Sequence, residues 1–228
     1  QALIEKFRQQ EQPVQLVSVS RSNMNFEKAG MHPQPVHLKL DLTQPDSKAE
    51  LASCWKSLGY PTQVFHCSGV LHDQHHQPEK SLQQLDADWL TQSLMTNVMT
   101  HVHLAQSIAA GVNQRHSVRW LSLSALVSSI TENALGGWYS YRMSKAALNM
   151  FIRNLDIEWR RRNPNCRIAA VHPGTTDTPL SEPFQAGIKA GKLYTPELTA
   201  ERMLDIMQSF PEASSGQLLF WDGSIRPF

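Results

Sequence analysis

Residues 62–70, TQVFHCSGV, form a strand-like run without the polar alternation of a half-exposed strand. That pattern is typical of a strand buried on both faces of a parallel sheet. A long helical segment, 86–113, follows it, and SVRWLSLSA (117–125) is the next strand. Because parallel strands need a long crossover, usually a helix, this order predicts a parallel α/β sheet.

The alternation of strands and helices continues in both directions. Periodicity predicts helices over 1–11, 47–58, 86–113, 139–162 and 199–210, and strands over 14–20, 35–43, 62–70, 117–125, 166–174 and 216–223. Six strands with helical crossovers indicate a doubly wound α/β fold. We expect one domain over residues 1–228, a length that supports a substantial core.

The beginning of the sequence is unusual for such a fold. The first helical segment starts at Gln1 with no Ser, Thr, Asp or Asn before it as a cap. Doubly wound sheets normally begin with a strand and a glycine-rich turn that leads into the first helix. We therefore expect about 15 residues of first strand and turn to precede Gln1.

The composition excludes several classes of protein. Lys and Arg number 21 and Asp and Glu 20, a net charge of +1 that argues against binding nucleic acid through its phosphates. A hydrophobic content of 41% excludes a disordered chain. No apolar run is long enough to span a bilayer. We expect neither a nucleic-acid nor a membrane partner.

Three cysteines, Cys54, Cys67 and Cys166, are an odd number at wide spacing. They indicate reduced thiols of a cytoplasmic protein rather than a disulfide framework.

A histidine-rich stretch, LHDQHHQPEKS (71–81), raises the question of a metal site. His72 and His75 have the spacing at which two imidazoles can share one ion, and His76 and Asp73 lie beside them. No thiolate or further carboxylate stands at ligand spacing. We interpret the stretch as a solvated loop and expect no metal.

Tyr141 and Lys145, in YSYRMSKAALNMF (139–151), carry the chemistry. Because the two residues are four positions apart on a predicted helix, their side chains lie on one face of it. A free tyrosine titrates near ~10. A neighbouring ammonium favours the phenolate, so we expect a lowered tyrosine pKa. The pair alone also fits an ordinary amphipathic helix with an exposed lysine.

Four elements together resemble the short-chain dehydrogenase/reductase family, most closely its C-factor-like branch. They are YRMSKAALN (141–149), GWYSY (137–141), HPGTTDT (172–178) and Asn97 in LMTNVMTHVHLAQS (94–107). The resemblance covers essentially the whole chain. It implies a Rossmann-like fold and an NAD(P)-dependent oxidoreductase that interconverts a carbonyl and an alcohol of a small molecule by hydride transfer.

The resemblance also implies catalytic roles. Tyr141 matches the general acid of carbonyl reduction, which is the base of alcohol oxidation. Lys145 matches the lysine that also holds the nicotinamide ribose. Asn97 matches the asparagine whose backbone carbonyl and a water connect the lysine to solvent.

The family's fourth role, a serine that hydrogen-bonds the substrate oxygen, has no clear match. Ser128 lies at the usual spacing before Tyr141, whereas matching by strand sets Ala125 in the serine's place, beside Ser124. Ser124, Ser128 and Ser129 are all candidates, and we assign Ser128. All three also fit ordinary turn serines that cap backbone groups.

The resemblance implies a cofactor site of residues from several loops. Its members are Arg21, Asp41, Leu42, Cys67, Ser68, Gly69, Tyr141, Lys145, Pro173, Gly174, Thr176 and Thr178. His66 and Cys67 replace the family's two asparagines. Arg21 stands where an acid would bind the 2′-hydroxyl of NAD, and an arginine favours the 2′-phosphate of NADP. We therefore expect NADP rather than NAD, although Arg21 also fits a solvated loop charge.

The segment 179–198 is loop-like and matches the region that closes over substrate in the family. Phe184, Trp138 and Tyr194 either line an apolar pocket or pack that region down. The resemblance also implies a homodimer or homotetramer formed through helices 86–113 and 139–162. Met150, Phe151 and Leu155 are the apolar positions expected near that interface or the sheet.

An alternative function remains open on the same fold. A catalytically weak or inactive dinucleotide-binding signalling protein would explain His66, the absent glycine-rich turn and the uncertain serine. Tyr141, Lys145 and Asn97 argue against it, because a binding module does not need the tyrosine.

Overall fold

The computed structural model describes residues 1–8, 14–24 and 33–228. Its helices are α1 (Ala2–Arg8), α2 (Ser47–Leu58), α3 (Ala87–Leu94), α4 (Thr100–Ile108), α5 (Tyr139–Arg162) and α6 (Pro196–Ser209). Its strands are β1 (Val17–Ser20), β2 (Val36–Lys39), β3 (Gln63–His66), β4 (Arg119–Leu123), β5 (Arg167–His172), β6 (Thr175–Thr176), β7 (Leu193–Tyr194), β8 (Leu218–Phe220) and β9 (Ile225–Arg226). Residues 9–11 of the first predicted helix lie outside the described residues.

The central sheet has the strand order β3-β4-β5-β8-β9. β3, β4, β5 and β8 are parallel, and β9 returns antiparallel to β8. β1 and β2 form a separate parallel pair. The predicted doubly wound α/β fold is confirmed, since the parallel strands are connected through helices.

Helices cover both faces of the sheet. Successive strand residues point to opposite faces, so each face presents its own set of apolar side chains. Trp120, Ile168 and Ala170 belong to the core under α2, α4 and α5. Leu121 and Ala169, one residue along, belong to the core under α6. The strands therefore carry apolar side chains in succession, as the sequence of a doubly covered sheet requires.

A cavity of about 830 Å³ lies between the β1–β2 pair and the central sheet. Val17 and Val19 of β1 and Val64 and His66 of β3 line it. Among the described residues no strand pairs with both β1 and β3. The strand and turn expected before Gln1 stay a prediction.

Several boundaries differ from the prediction. The helix predicted over 86–113 is divided by a π-helical turn, Met95–Met99. α6 begins at Pro196, earlier than predicted, because Thr195 accepts the Leu198 N–H and proline suits the first helical position. The segment predicted as a loop, 179–198, contains a 3₁₀ turn and β7, and β6 pairs with β7.

None of the helices in the described part of the chain is both long and apolar enough to cross a bilayer. The three cysteines are free, as expected. The cytoplasmic location inferred from them stays a prediction.

Candidate functional site

A cleft of about 780 Å³ opens where β3, β4 and β5 end. Ligands of open α/β sheets bind at this edge, because the loops that follow parallel strands meet there. Cys67, Ser68 and Gly69 follow β3, and Ser124 and Ala125 follow β4. Residues 173–176 and Thr178 follow β5, and all three groups line the cleft.

Tyr141 and Lys145 face this cleft from the first turns of α5. The Lys145 ammonium lies 5.9 Å from the centre of the Tyr141 ring. It donates a hydrogen bond of 2.8 Å to the Leu123 carbonyl at the end of β4. An ammonium has three protons, so Lys145 can also donate to a ligand in the cleft.

Burial shifts both titrations. It raises the pKa of Tyr141 to about 12, because the phenolate loses its hydration. This direction is opposite to the lowered pKa expected from the spacing. Burial lowers the pKa of Lys145 to about 8, with a smaller opposing contribution from Cys67. Tyr141 is therefore a protonated hydroxyl at neutral pH, beside an ammonium that loses its proton readily.

Asn97 lies in the π-helical turn and is fully buried. Its side-chain oxygen accepts the Val70 N–H at 2.7 Å, and its amide nitrogen donates to the Val70 carbonyl at 2.9 Å and to Ser144 at 2.8 Å. Ser144 in turn donates to the Tyr141 carbonyl. The Asn97 side chain thus fastens the loop after β3 to the helix that carries Tyr141.

Glu79 is a functional residue that the sequence did not reveal. Its buried carboxylate accepts the backbone N–H and the hydroxyl of Ser140, and its carbonyl accepts the Trp138 N–H. A carboxylate at a helix N-terminus is favourable because the helix dipole is positive there. Glu79 therefore fixes the start of α5, next to Tyr141. Nothing local in its polar stretch pointed to this contact 61 residues away.

The structure places Ser128 behind the wall of the cleft, not on it. Its hydroxyl donates to the Ala125 carbonyl and accepts from the Asn149 amide at 2.7 Å. Ser124 lines the cleft but donates to the Asn149 side chain at 2.8 Å. Ser129 accepts the Glu132 N–H in a turn. The role assigned to Ser128 stays a prediction, and this geometry favours Ser124 over it.

Most of the predicted cofactor residues come together. Cys67, Ser68, Gly69, Tyr141, Lys145, Pro173, Gly174, Thr176 and Thr178 all line the cleft. A Cβ on Gly69 would stand 3.2 Å from the Lys145 ammonium. Gly174 has φ +81°, and a Cβ there would stand 2.6 Å from the Tyr194 ring. The missing side chain of Gly69 leaves open space beside Lys145, and the missing side chain of Gly174 makes room for the Tyr194 ring.

Three predicted cofactor residues lie away from the cleft. Leu42 is buried in the core under α2 and α4 and lines the second cavity. The Asp41 carboxylate accepts hydrogen bonds from the N–H and the hydroxyl of Thr43. Partial burial acts to raise the pKa of Asp41, but these bonds and the charge of Arg21 outweigh it and hold the pKa below its usual range. Arg21 is exposed and lies outside both cavities.

The histidine-rich stretch forms no metal centre among the residues with described positions. Asp73 instead accepts from the His76 ring at 2.9 Å and from the backbone N–H groups of His75 and His76. The His72 ring contacts two carbonyls of the segment after β6. The stretch is thus a hydrogen-bonded loop.

Comparisons with known proteins identify a matching family and several relatives. A family model described as short chain dehydrogenase matches residues 3–189. The chain is 25% identical over 187 residues to 1-hydroxy-2-glutathionyl-2-methyl-3-butene dehydrogenase of Rhodococcus sp. (strain AD45), covering 82% of this chain and 77% of that protein. It is 25% identical over 146 residues to C-signal of Myxococcus xanthus, and the match covers 63% of this chain and 82% of that protein.

Solved structures agree in fold. The NADPH-bound carbonyl reductase from chicken fatty liver superposes with a TM-score of 0.80 at 21% identity, over 100% of this chain and 93% of that one. At such low identity the likeness supports the fold alone. Because the family model spans most of the residues and the fold agrees with it, the chain belongs to the short-chain dehydrogenase family of oxidoreductases.

Proposed function

We propose that the protein is an NAD(P)-dependent oxidoreductase that interconverts a carbonyl compound and the corresponding alcohol, with Tyr141 as the acid or base. The observation that carries this proposal is that Tyr141 and Lys145 line one cleft at the carboxyl edge of the sheet, with the Lys145 ammonium 5.9 Å from the centre of the Tyr141 ring.

The cleft residues fit a nicotinamide nucleotide. Lys145 offers donors to ribose hydroxyls, and the missing Cβ of Gly69 lets a ligand approach that ammonium. Pro173, Gly174, Thr176 and Thr178 supply backbone and hydroxyl groups for the nicotinamide amide. The similar chicken reductase was solved with NADPH bound, which supports the same ligand class. When bound, the nucleotide supplies a hydride to the carbonyl carbon or accepts one from the alcohol.

Tyr141 handles the proton. In reduction its O–H bond breaks and the proton passes to the substrate oxygen, which becomes a hydroxyl as a C–H bond forms at carbon. The Lys145 ammonium stabilises the phenolate that remains, and solvent restores its proton. Oxidation of an alcohol uses the same groups in reverse.

Cofactor titration tests this proposal. We expect quenching of protein fluorescence and enhanced nicotinamide fluorescence with NADPH, and weaker binding of NADH, because Arg21 offers a positive charge to a 2′-phosphate. Arg21→Ala should reduce this preference. If neither nucleotide binds, both the enzyme and the dinucleotide-binding alternative are refuted.

The rate should depend on the protonation of Lys145. Since the pKa of Lys145 is lowered to about 8, the ammonium is present below that pH and lost above it. We expect kcat/KM for carbonyl reduction to fall above about pH 8, measured with saturating nucleotide. Lys145→Arg, which stays charged, should lose this alkaline decline even if its rate is lower. A wild-type profile that stays level through pH 9.5, about 1.5 units past that pKa, would contradict the role of Lys145.

A non-catalytic binding protein is the second candidate. It is favoured by Ala125, which packs beside Tyr141 and takes the place of the family's serine when the chains are matched by strand, and by the hydrogen bonds of Ser124 and Ser128 with Asn149. The similarity to C-signal is compatible with it. Nucleotide binding without turnover of aldehydes, ketones or quinones would favour this candidate.

We also propose that two copies associate through α5. Met143, Met150 and Ile157 recur every seven residues on this helix and are 48%, 62% and 38% exposed, so they form an apolar stripe. Met150→Glu should shift the sedimentation coefficient to that of a monomer. Leu58→Glu, a matched change of an exposed leucine at the end of α2, should not. A wild-type monomer at all concentrations would contradict the association.

A further inference from the structure

The wall of the cleft around the Tyr141 ring is apolar. Leu71 and Ala125 pack with Tyr141 in one buried cluster, and Val127, Trp138 and Phe184 pack against it. All of them line the cleft. A substrate whose oxygen reaches Tyr141 must therefore place its carbon substituents against this surface.

Two aromatic rings define the outer part of this wall. The Trp138 ring lies 6.3 Å from the Tyr141 ring and 5.2 Å from the Phe184 ring, measured between centres. These distances are those of interacting aromatic rings. Tyr194, the third aromatic expected there, does not line the cleft; it is buried and packs against Arg202 and Trp221.

Trp138 is held in place by its backbone. It is the one non-glycine residue with a positive φ, +54°, in the described chain, and it follows Gly136 and Gly137, which also have positive φ. Such strain persists where surrounding contacts determine the conformation. Here the Trp138 N–H donates to the Glu79 carbonyl, which fixes the ring beside Tyr141.

Phe184 is held by the segment before it. The His72 Nε2 lies 3.2 Å from the carbonyls of both Pro179 and Leu180. Both are acceptors, so this nitrogen carries the proton. The His72 ring also meets the Phe184 ring edge-on at 5.6 Å. The two aromatic walls are therefore positioned before a substrate arrives.

The apolar wall disfavours an anionic group on the substrate, because it offers no cation to pair with such a group. Lys145 is the only charged side chain among the described lining residues, and it bonds the Leu123 carbonyl. His172 is neutral at physiological pH, since burial and then Arg226 lower its pKa to about 4. A carboxylate against Leu71, Val127 and Phe184 would lose its hydration without a partner.

We propose that this site takes an uncharged carbonyl compound whose carbonyl carries an aromatic or bulky apolar group, which packs against the wall formed by Trp138 and Phe184. This inference rests on the proposed function, because it concerns the substrate that Tyr141 would protonate.

A substrate panel tests it. We expect kcat/KM with NADPH to be at least about tenfold higher for 4-isopropylbenzaldehyde than for 4-carboxybenzaldehyde or for propanal, because only the first offers an uncharged ring to the aromatic walls. Turnover of the carboxylate or of propanal as fast as the isopropyl compound would overturn the inference and leave the oxidoreductase proposal standing. No turnover of any compound would instead refute the oxidoreductase proposal and, with it, this inference.

Variants and binding supply a second readout. Trp138→Ala and Phe184→Ala should each weaken binding of 4-isopropylacetophenone, measured by equilibrium dialysis with the nucleotide present, by about tenfold. Trp138→Phe should restore most of the affinity. Tyr139→Ala, an aromatic-to-alanine change beside the cleft, is the control and should bind as the wild type does. Unchanged affinity in folded Phe184→Ala would overturn the inference even if Trp138→Ala fails to fold.

Discussion

Tyr141→Phe is expected to lower kcat for carbonyl reduction by about a thousandfold or more, because the substrate oxygen loses both its proton donor and its hydrogen bond. The fold should be unaffected. The Tyr141 ring packs among Leu71, Ala125 and Trp138, and phenylalanine keeps these contacts. Nucleotide affinity should remain within about twofold of wild type, since Lys145 and Gly69 are unchanged.

The measurement is single-turnover reduction of an aromatic aldehyde, combined with fluorescence titration of NADPH. Tyr139→Phe is the matched control, because Tyr139 lies two residues earlier and does not line the cleft. If Tyr141→Phe retains wild-type kcat, the assignment of the acid is wrong; Tyr139→Phe should retain it in either case. A loss of nucleotide affinity equal to the loss of rate would show that the hydroxyl serves binding instead.

Asn97→Ala is expected to reduce both stability and activity. The backbone N–H and carbonyl of the half-buried Val70 lose their side-chain partner, and the buried Ser144 hydroxyl loses a donor. Buried groups left without a partner cost about 1–3 kcal/mol each, so we expect the free energy of unfolding to fall by about 3 kcal/mol. Because Val70 follows Gly69 and Ser144 precedes Lys145, nucleotide affinity should fall as well.

Urea denaturation and NADPH titration measure the two effects. Asn163→Ala is the control: this buried asparagine donates to the Asn113 carbonyl and accepts from the Asn165 N–H, far from the cleft. It should lose comparable stability, about 2–3 kcal/mol, with unchanged nucleotide affinity. If Asn97→Ala retains wild-type stability, its side chain is not the fastening between the loop and α5.

The sequence predicted the elements whose causes are local. α2 and α5 begin and end where the helical periodicity does, at Ser47–Leu58 and Tyr139–Arg162. The spacing of Tyr141 and Lys145 on one helical face also follows from periodicity alone. The loops that meet at the carboxyl edge were predictable because parallel strands place them there.

Features that depend on distant partners were not predictable. Glu79 caps α5 through Ser140, 61 positions away along the chain. Ser128 bonds Asn149, 21 positions away, and lies behind the wall of the cleft. The predicted direction of the Tyr141 pKa shift was wrong, because the shift depends on burial and the spacing of residues does not reveal burial. Met150, Phe151 and Leu155 were grouped together, yet Leu155 is buried, Phe151 packs partly against the core and Met150 is exposed.

The wider turn at Met95–Met99 has a consequence for how this chain tolerates changes in length. A π-helical turn holds one residue more than an α-helical turn, so deleting one position between Met95 and Met99 would convert it to an α-helical turn and leave the buried Trp89 and Ser93 of α3 in place. Inserting one position would instead rotate α3 by about 100° relative to α4 and turn these two side chains toward water. We therefore expect the fold to tolerate a one-residue deletion here better than a one-residue insertion, although the deletion would displace Asn97 from Val70.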